Sequence, residues 1–98
     1  MVIVRGILDE SINESIDQIS AVSQGLTGHG LDLKKHIENE MDFYLGVVMA
    51  VAQERWVYKA AKKGLSQQQI ISVIPFVVVS LYTKIPKFKT EINRRLGV

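Results

Sequence analysis

The sequence predicts an all-α fold: a helical bundle of three main helices, at about 7–24, 32–63 and 66–83 with a kink near Pro75, plus a short C-terminal helix, completed by dimerisation. Three observations carry that expectation. Apolar residues recur at spacings of three and four along most of the chain, the period of an amphipathic helix. Glycines fall where each periodic run ends, as helix C-termini favour. Strand-forming residues are confined to one stretch, with no partner strand except Val2 to Val4.

The first helix rests on Leu8, Ile12, Ile16, Ile19, Val22 and Leu26, separated by Asp9, Glu10, Asn13, Glu14, Asp17 and Gln18. That is an apolar stripe with a solvated back. The early acids suit the positive end of the helix dipole. Ser11, Ser15, Ser20 and Ser23 fall on its polar flank, without an activating neighbour for nucleophilic chemistry. Gly25 is the expected stop, and Gly25 to Gly30, with three glycines in six residues, reads as a loop.

The second helix is expected from Asp32, as cap, to Lys63, along Leu33, Ile37, Met41, Leu45, Val48, Ala52, Trp56 and Ala60. Lys59, Lys62 and Lys63 suit its negative end, and Gly64 follows at the C′ position. Phe43 to Ala52 is apolar on every side, the pattern of a helix buried all round. A helix of some 32 residues would rise about 48 Å. A compact chain of 98 residues has a diameter of only roughly 35 Å. The excess length predicts that the helix packs against a second copy, with Phe43, Tyr44, Val47, Val51 and Trp56 at a two-fold dimer interface.

Ser66 and Gln69 have capping-box spacing ahead of Ile70 and Ile71. The run from Ile70 to Thr83 is rich in β-branched residues and reads as helix or strand by propensity. The capping box and the missing partner strand favour helix, interrupted at Pro75. Pro86 opens the terminal helix from its first turn, and Gly97 closes it.

Length and composition frame the function. Ninety-eight residues make one domain, and 47 % apolar with 22 % charged residues is a globular balance, not that of a disordered tail. The absence of cysteine excludes disulfides, thiol nucleophiles and thiolate metal sites. The N-terminus lacks the apolar stretch of a secretory signal. The strongly apolar run Ile70 to Tyr82 is thirteen residues, against the roughly 20 that span a bilayer. The expected location is therefore the cytoplasm.

Charge is divided along the chain. Residues 1–42 hold eight acids and three bases, and residues 43–98 hold nine bases and two acids, giving net charges of −5 and +7. Lys59, Lys62, Lys63, Lys84, Lys87, Lys89, Arg94 and Arg95 would attract nucleic acid if they met on one face. The plainer expectation is solvated helix ends pairing with the acidic half of this or a neighbouring chain. Gly64 to Ile71 resembles the opening of a helix-turn-helix, in which Phe76 to Thr83 would be the recognition helix. The chain departs from that pattern with Ile71 where a small residue is usual, Pro75 where glycine is usual, and apolar Phe76, Val77, Val78 and Val79 where bases would be read.

Asp32, His36 and Glu40 recur every four residues and would share one face of a continuous helix, a candidate metal set. The Glu-x-x-His motif of di-iron bundles is absent; local pairing of Asp32 with Lys35 and Lys34 with Glu38 is the plainer expectation. His29 lies between glycines without a paired acid, and no Walker, dinucleotide or G-x-S-x-G pattern occurs. No cofactor is expected. The sequence therefore favours a non-enzymatic helical assembly or protein-interaction module, with a small nucleic-acid-binding regulator as the alternative and a metal-dependent enzyme on His36 and Glu40 third.

Overall fold

In the computed structural model, which describes residues 2–98 and side chains from Val4 onward, the chain is all-helical. Its elements are α1 (Val2–Gly28), a 3-10 turn (Leu33–Lys35), α2 (Glu40–Lys62), α3 (Gln67–Thr83) and α4 (Ile85–Leu96). Among the described residues there is no strand; Val2 to Val4 form the first turn of α1.

α1 and α2 form an antiparallel hairpin: Glu10 pairs with Lys59 and Glu14 with Arg55, so one number rises as the other falls. α1 contributes Ile7, Leu8, Ile12, Ile16 and Ile19 to the core, and α2 contributes Tyr44, Val48, Ala52, Trp56 and Ala60. The strict four-residue repeat in α2 draws one narrow line down the helix. Small Ala52 and Ala60 alternate there with large Tyr44 and Trp56, so the facing surfaces interdigitate. Ser11 and Ser15, expected on a polar flank, are fully buried instead. Their hydroxyls donate to the Ile7 carbonyl (2.7 Å) and the Ile12 carbonyl (2.8 Å) of their own helix, which removes the cost of burying them. Trp56 crosses the core, and its indole N–H donates to the Val4 carbonyl at 3.3 Å. α4 closes the hairpin with Phe88 and Ile92, both fully buried.

The helix ends show which local signals prevail. α1 runs through Gly25, the expected stop. It ends in a Schellman motif: Gly30 takes φ +70°, its N–H donates to the Thr27 carbonyl, and the Leu31 N–H donates to the Leu26 carbonyl. α2 begins at Glu40, not Asp32. Asn39 is extended, and its side chain accepts from the Asp42 N–H at 3.0 Å. Glu40 and Asp42 then lie in the first turn, where the dipole favours acids. Asp32 caps only the 3-10 turn, through the Lys34 N–H. α2 ends as expected, with Gly64 at φ +95° and the Leu65 N–H closing on the Ala60 carbonyl.

This shorter α2 removes the length argument for a second chain. Its 23 residues rise about 35 Å, within the 42 Å long dimension of the molecule. Tyr44 and Trp56, expected at a dimer interface, are buried inside the chain. Phe43, Val47 and Val51 are half-buried, while Gly46 and Ala50 are exposed, so the middle of α2 is not enclosed all round.

α3 resolves as helix, opened by the full capping box: the Gln69 N–H donates to Ser66 Oγ (3.2 Å) and the Ser66 N–H to Gln69 Oε1 (2.7 Å). It runs without interruption through Pro75, which faces solvent. The chain turns at Lys84, where α3 and α4 are bent by 57°.

Candidate interaction surface

α3 turns Ile70, Val77 and Leu81 into the core, with Val73 and Ile74 half-buried beside them. On an amphipathic helix the remaining positions would be polar. Here Gln68, Ser72 and Thr83 are, but a row beside them is not. Ile71 is 58 % exposed, Val78 41 %, Val79 61 % and Tyr82 69 %, and Pro75 lies among them. Gln67 to Thr83 contains no charged residue. Single exposed aliphatics are ordinary, whereas a contiguous apolar stripe on an uncharged helix is a feature a partner could cover. Ile71, Pro75, Val78 and Tyr82 follow one another at spacings of four, three and four, so they form one seam along the helix.

The same residues end the resemblance to a helix-turn-helix. No turn separates a first helix from Phe76 to Thr83, because α3 is continuous. Phe76 contributes to the wall of a shallow cleft with Arg5, Asp9, Ser80 and Lys84, whose charges are mixed.

Of the eight candidate basic residues, Lys59, Arg94 and Arg95 are held in ion pairs. Lys59 Nζ lies 2.9 Å from Glu14 and 3.4 Å from Glu10, and Arg55 reaches Glu14 at 3.0 Å. The Lys59 ammonium, hydrogen-bonded to Glu14, holds that carboxyl below its ordinary value, with Arg55 adding to the effect; Glu14 in turn raises Lys59. Arg95 joins Asp17 (3.0 Å) and Glu91 (3.7 Å), and Arg94 joins Glu91 (2.7 Å). The Arg94 guanidinium lowers the Glu91 carboxyl likewise. Lys62 sits 4.8 Å from the centre of the Tyr58 ring, a cation–π contact. Lys63, Lys84, Lys87 and Lys89 make no ion pair among the described residues. Glu10, Glu14 and Asp17 of the acidic N-terminal half thus pair with Arg55, Lys59 and Arg95 of the basic C-terminal half inside one chain.

The candidate metal set is not assembled. Asp32 caps the 3-10 turn, His36 ends it, and Glu40 starts a separate helix, so the three do not share one helical face. Among the described residues no three His, Asp or Glu side chains gather as metal ligands would. His29 Nδ1 lies 2.8 Å from the Gly25 carbonyl. A carbonyl only accepts, so that nitrogen carries the proton, and the ring serves the end of α1.

No single described helix is long and apolar enough to cross a membrane; α3 and α4 reach that length only as a pair bent by 57°. The exposed face of α3 was hidden in the sequence because core and surface positions there are equally apolar. The one available signal was the lack of charge from Gly64 to Thr83. No family model matches the chain, and no curated protein or solved structure matches it.

Proposed function

We propose that this chain is a non-enzymatic interaction module that docks its partner on the outer face of α3. The observation that carries the reading is the exposed seam of Ile71, Val78 and Tyr82, with Val79 beside it, on a helix without charge. Burying such a face stabilises a complex by about 25 cal/mol per Å² of apolar area, before the costs of association. A charged helix face would lose part of that gain to desolvation.

A photo-crosslinking side chain at position 82, introduced in living cells, tests it. Covalent capture of a protein chain is expected from position 82 and not from Glu38, an exposed residue on the connector between α1 and α2. Equal or absent capture at both positions overturns the reading.

The nucleic-acid alternative draws support from Lys63, Lys84, Lys87 and Lys89, which carry no ion pair. It draws none from Lys59, Arg94 and Arg95, whose charge is already met by carboxylates. It requires duplex binding that weakens steeply with salt and falls on changing Lys87 and Lys89 to Ala; no binding at low salt removes it.

A further inference from the structure

We propose that α3 packs on the same helix of a second copy, antiparallel across a two-fold axis, so that the chain is a homodimer; the inference rests on the interaction reading above and names its partner. Four observations converge. The first is spacing. Ile71, Pro75, Val78 and Tyr82 recur at four, three and four residues, the repeat with which one helix seats side chains between those of another. In an antiparallel pair, residue 71 faces residue 82 and residue 75 faces residue 78, since both pairs are centred between 76 and 77. The seam is thus complementary to itself, as an isologous interface requires. It also sets large Tyr82 against the smaller Ile71.

The second is charge. α3 carries no charged side chain from Gln67 to Thr83, so no like charges are brought together and no charge has to be stripped of water when two copies pack along it. A helix made for a lipid surface would carry lysines along its polar border, and α3 has only glutamine, serine and threonine there.

The third is a hydrogen-bond donor. Pro75 has no N–H, so the Ile71 carbonyl lacks its helical donor. Ile71 is the residue that Tyr82 of the second copy faces, and the Tyr82 hydroxyl donates. Two such bonds form by symmetry.

The fourth is area. The exposed parts of Ile71, Val78, Val79 and Tyr82, with Pro75 among them, amount to a few hundred Å², to which the aromatic Tyr82 adds most. A standard interface takes about 800 Å² from each partner, of which about 65 % is apolar in homodimers. The face can supply the apolar centre of an interface at the small end of that range.

The test joins mass and register. Light scattering over about 1 μM to 1 mM is expected to give the mass of two chains for the parent. Val78→Glu and Val79→Lys are expected to give one chain with unchanged helical circular dichroism. The chain has no cysteine, so Ile71→Cys and Tyr82→Cys report pairing directly. Mixed under mild oxidation with diamide, the two variants are expected to form a disulfide-linked heterodimer, while each alone stays uncrosslinked. A single-chain mass at every concentration overturns the dimer, whether or not the protein then binds anionic vesicles. It leaves the interaction reading to the position-82 crosslink, which would then capture a different protein. A dimer that survives both charged variants, or one in which each cysteine variant crosslinks to itself, overturns the antiparallel α3 seam.

Discussion

The α1–α2 hairpin and α3 manage their surfaces in opposite ways. In the hairpin, each helix buries one apolar line and offers a charged flank, and the flanks meet: Glu10 and Glu14 close on Lys59 and Arg55. At that end of the hairpin, ion pairs flank the core. α3 buries Ile70, Val77 and Leu81 and leaves Ile71, Val79 and Tyr82 in solvent. The hairpin leaves few large apolar side chains in solvent, Tyr58 among them, whereas α3 leaves a row of them. An energetic difference follows: substitutions in the hairpin should act on folding, and substitutions on the outer face of α3 should act on association.

The largest break in that contrast is at Trp56. It is fully buried, crosses from α2 to the Val4 carbonyl, and has no counterpart on α3. Trp56→Ala is expected to cost about 3–5 kcal/mol, a fall in Tm of at least about 12 °C for a domain of this size. Thermal melts followed by circular dichroism measure it. A shift under about 3 °C would place Trp56 outside the cooperative core.

Two glycines should respond with opposite signs. An added Cβ meets nothing within 4 Å at Gly64 or Gly46, so only the backbone decides. Gly64 holds φ +95° at the end of α2, where an L side chain costs about 1–2 kcal/mol. Gly46 is inside α2, where alanine gains about 0.5–1 kcal/mol. Gly64→Ala is expected to lower the denaturation midpoint and Gly46→Ala to raise it. Equal signs would mean that the Schellman closure does not hold the α2–α3 junction.

These endings also show how much was legible in the sequence. Gly64, Ser66 and Gly97 each act where their chemistry places them, since a left-handed residue or a capping hydroxyl is a local requirement. The start of α2 was not legible. Leu33, Ile37 and Met41 continue the four-residue period across Asn39, and periodicity does not register a connector that rejoins the stripe in phase. The cap at Asn39 and the acids behind it decide the boundary. The candidate metal set and the overlong helix were both products of that missed break. The charge division was visible as −5 and +7, but its pairing depends on the hairpin register. The exposed apolar face of α3 was illegible for a different reason: where the core line and the face beside it are equally apolar, period does not say which one is buried.

The ion network gives the hairpin a pH dependence that α3, without charges, does not share. Glu14 is held below its ordinary value by the Lys59 hydrogen bond first and by Arg55 as well. A carboxyl with a depressed folded value contributes stability above the unfolded value, about 4.3. That contribution is lost as pH falls through the folded value. Lys59 is raised by the same contact, so its share is full below about 10.4 and fades as pH climbs through the higher folded value. Tm is therefore expected to fall modestly below pH 4 in the parent and to fall less in Glu14→Gln. Exposed pairs are weak and salt-screened, so 1 M salt should narrow the gap. An acid dependence identical in the two proteins would assign it to other carboxylates.

The smallest effect on folding is expected at Ile71. Its side chain is 58 % exposed, and isoleucine and serine have similar helix propensities. Ile71→Ser should change stability by no more than about 0.5 kcal/mol in dilute protein. Concentration turns this silent position into a probe. Where a second copy binds the folded chain, mass action raises the apparent stability of the parent with protein concentration. Tm of the parent should then climb between about 1 μM and 1 mM, and that of Ile71→Ser should stay nearly level. Two curves that coincide at low concentration and separate at high concentration locate the missing contact on α3, because no residue of the hairpin differs between them. Two parallel curves would instead put the contribution of Ile71 inside the monomer and remove the distinction between the hairpin and α3.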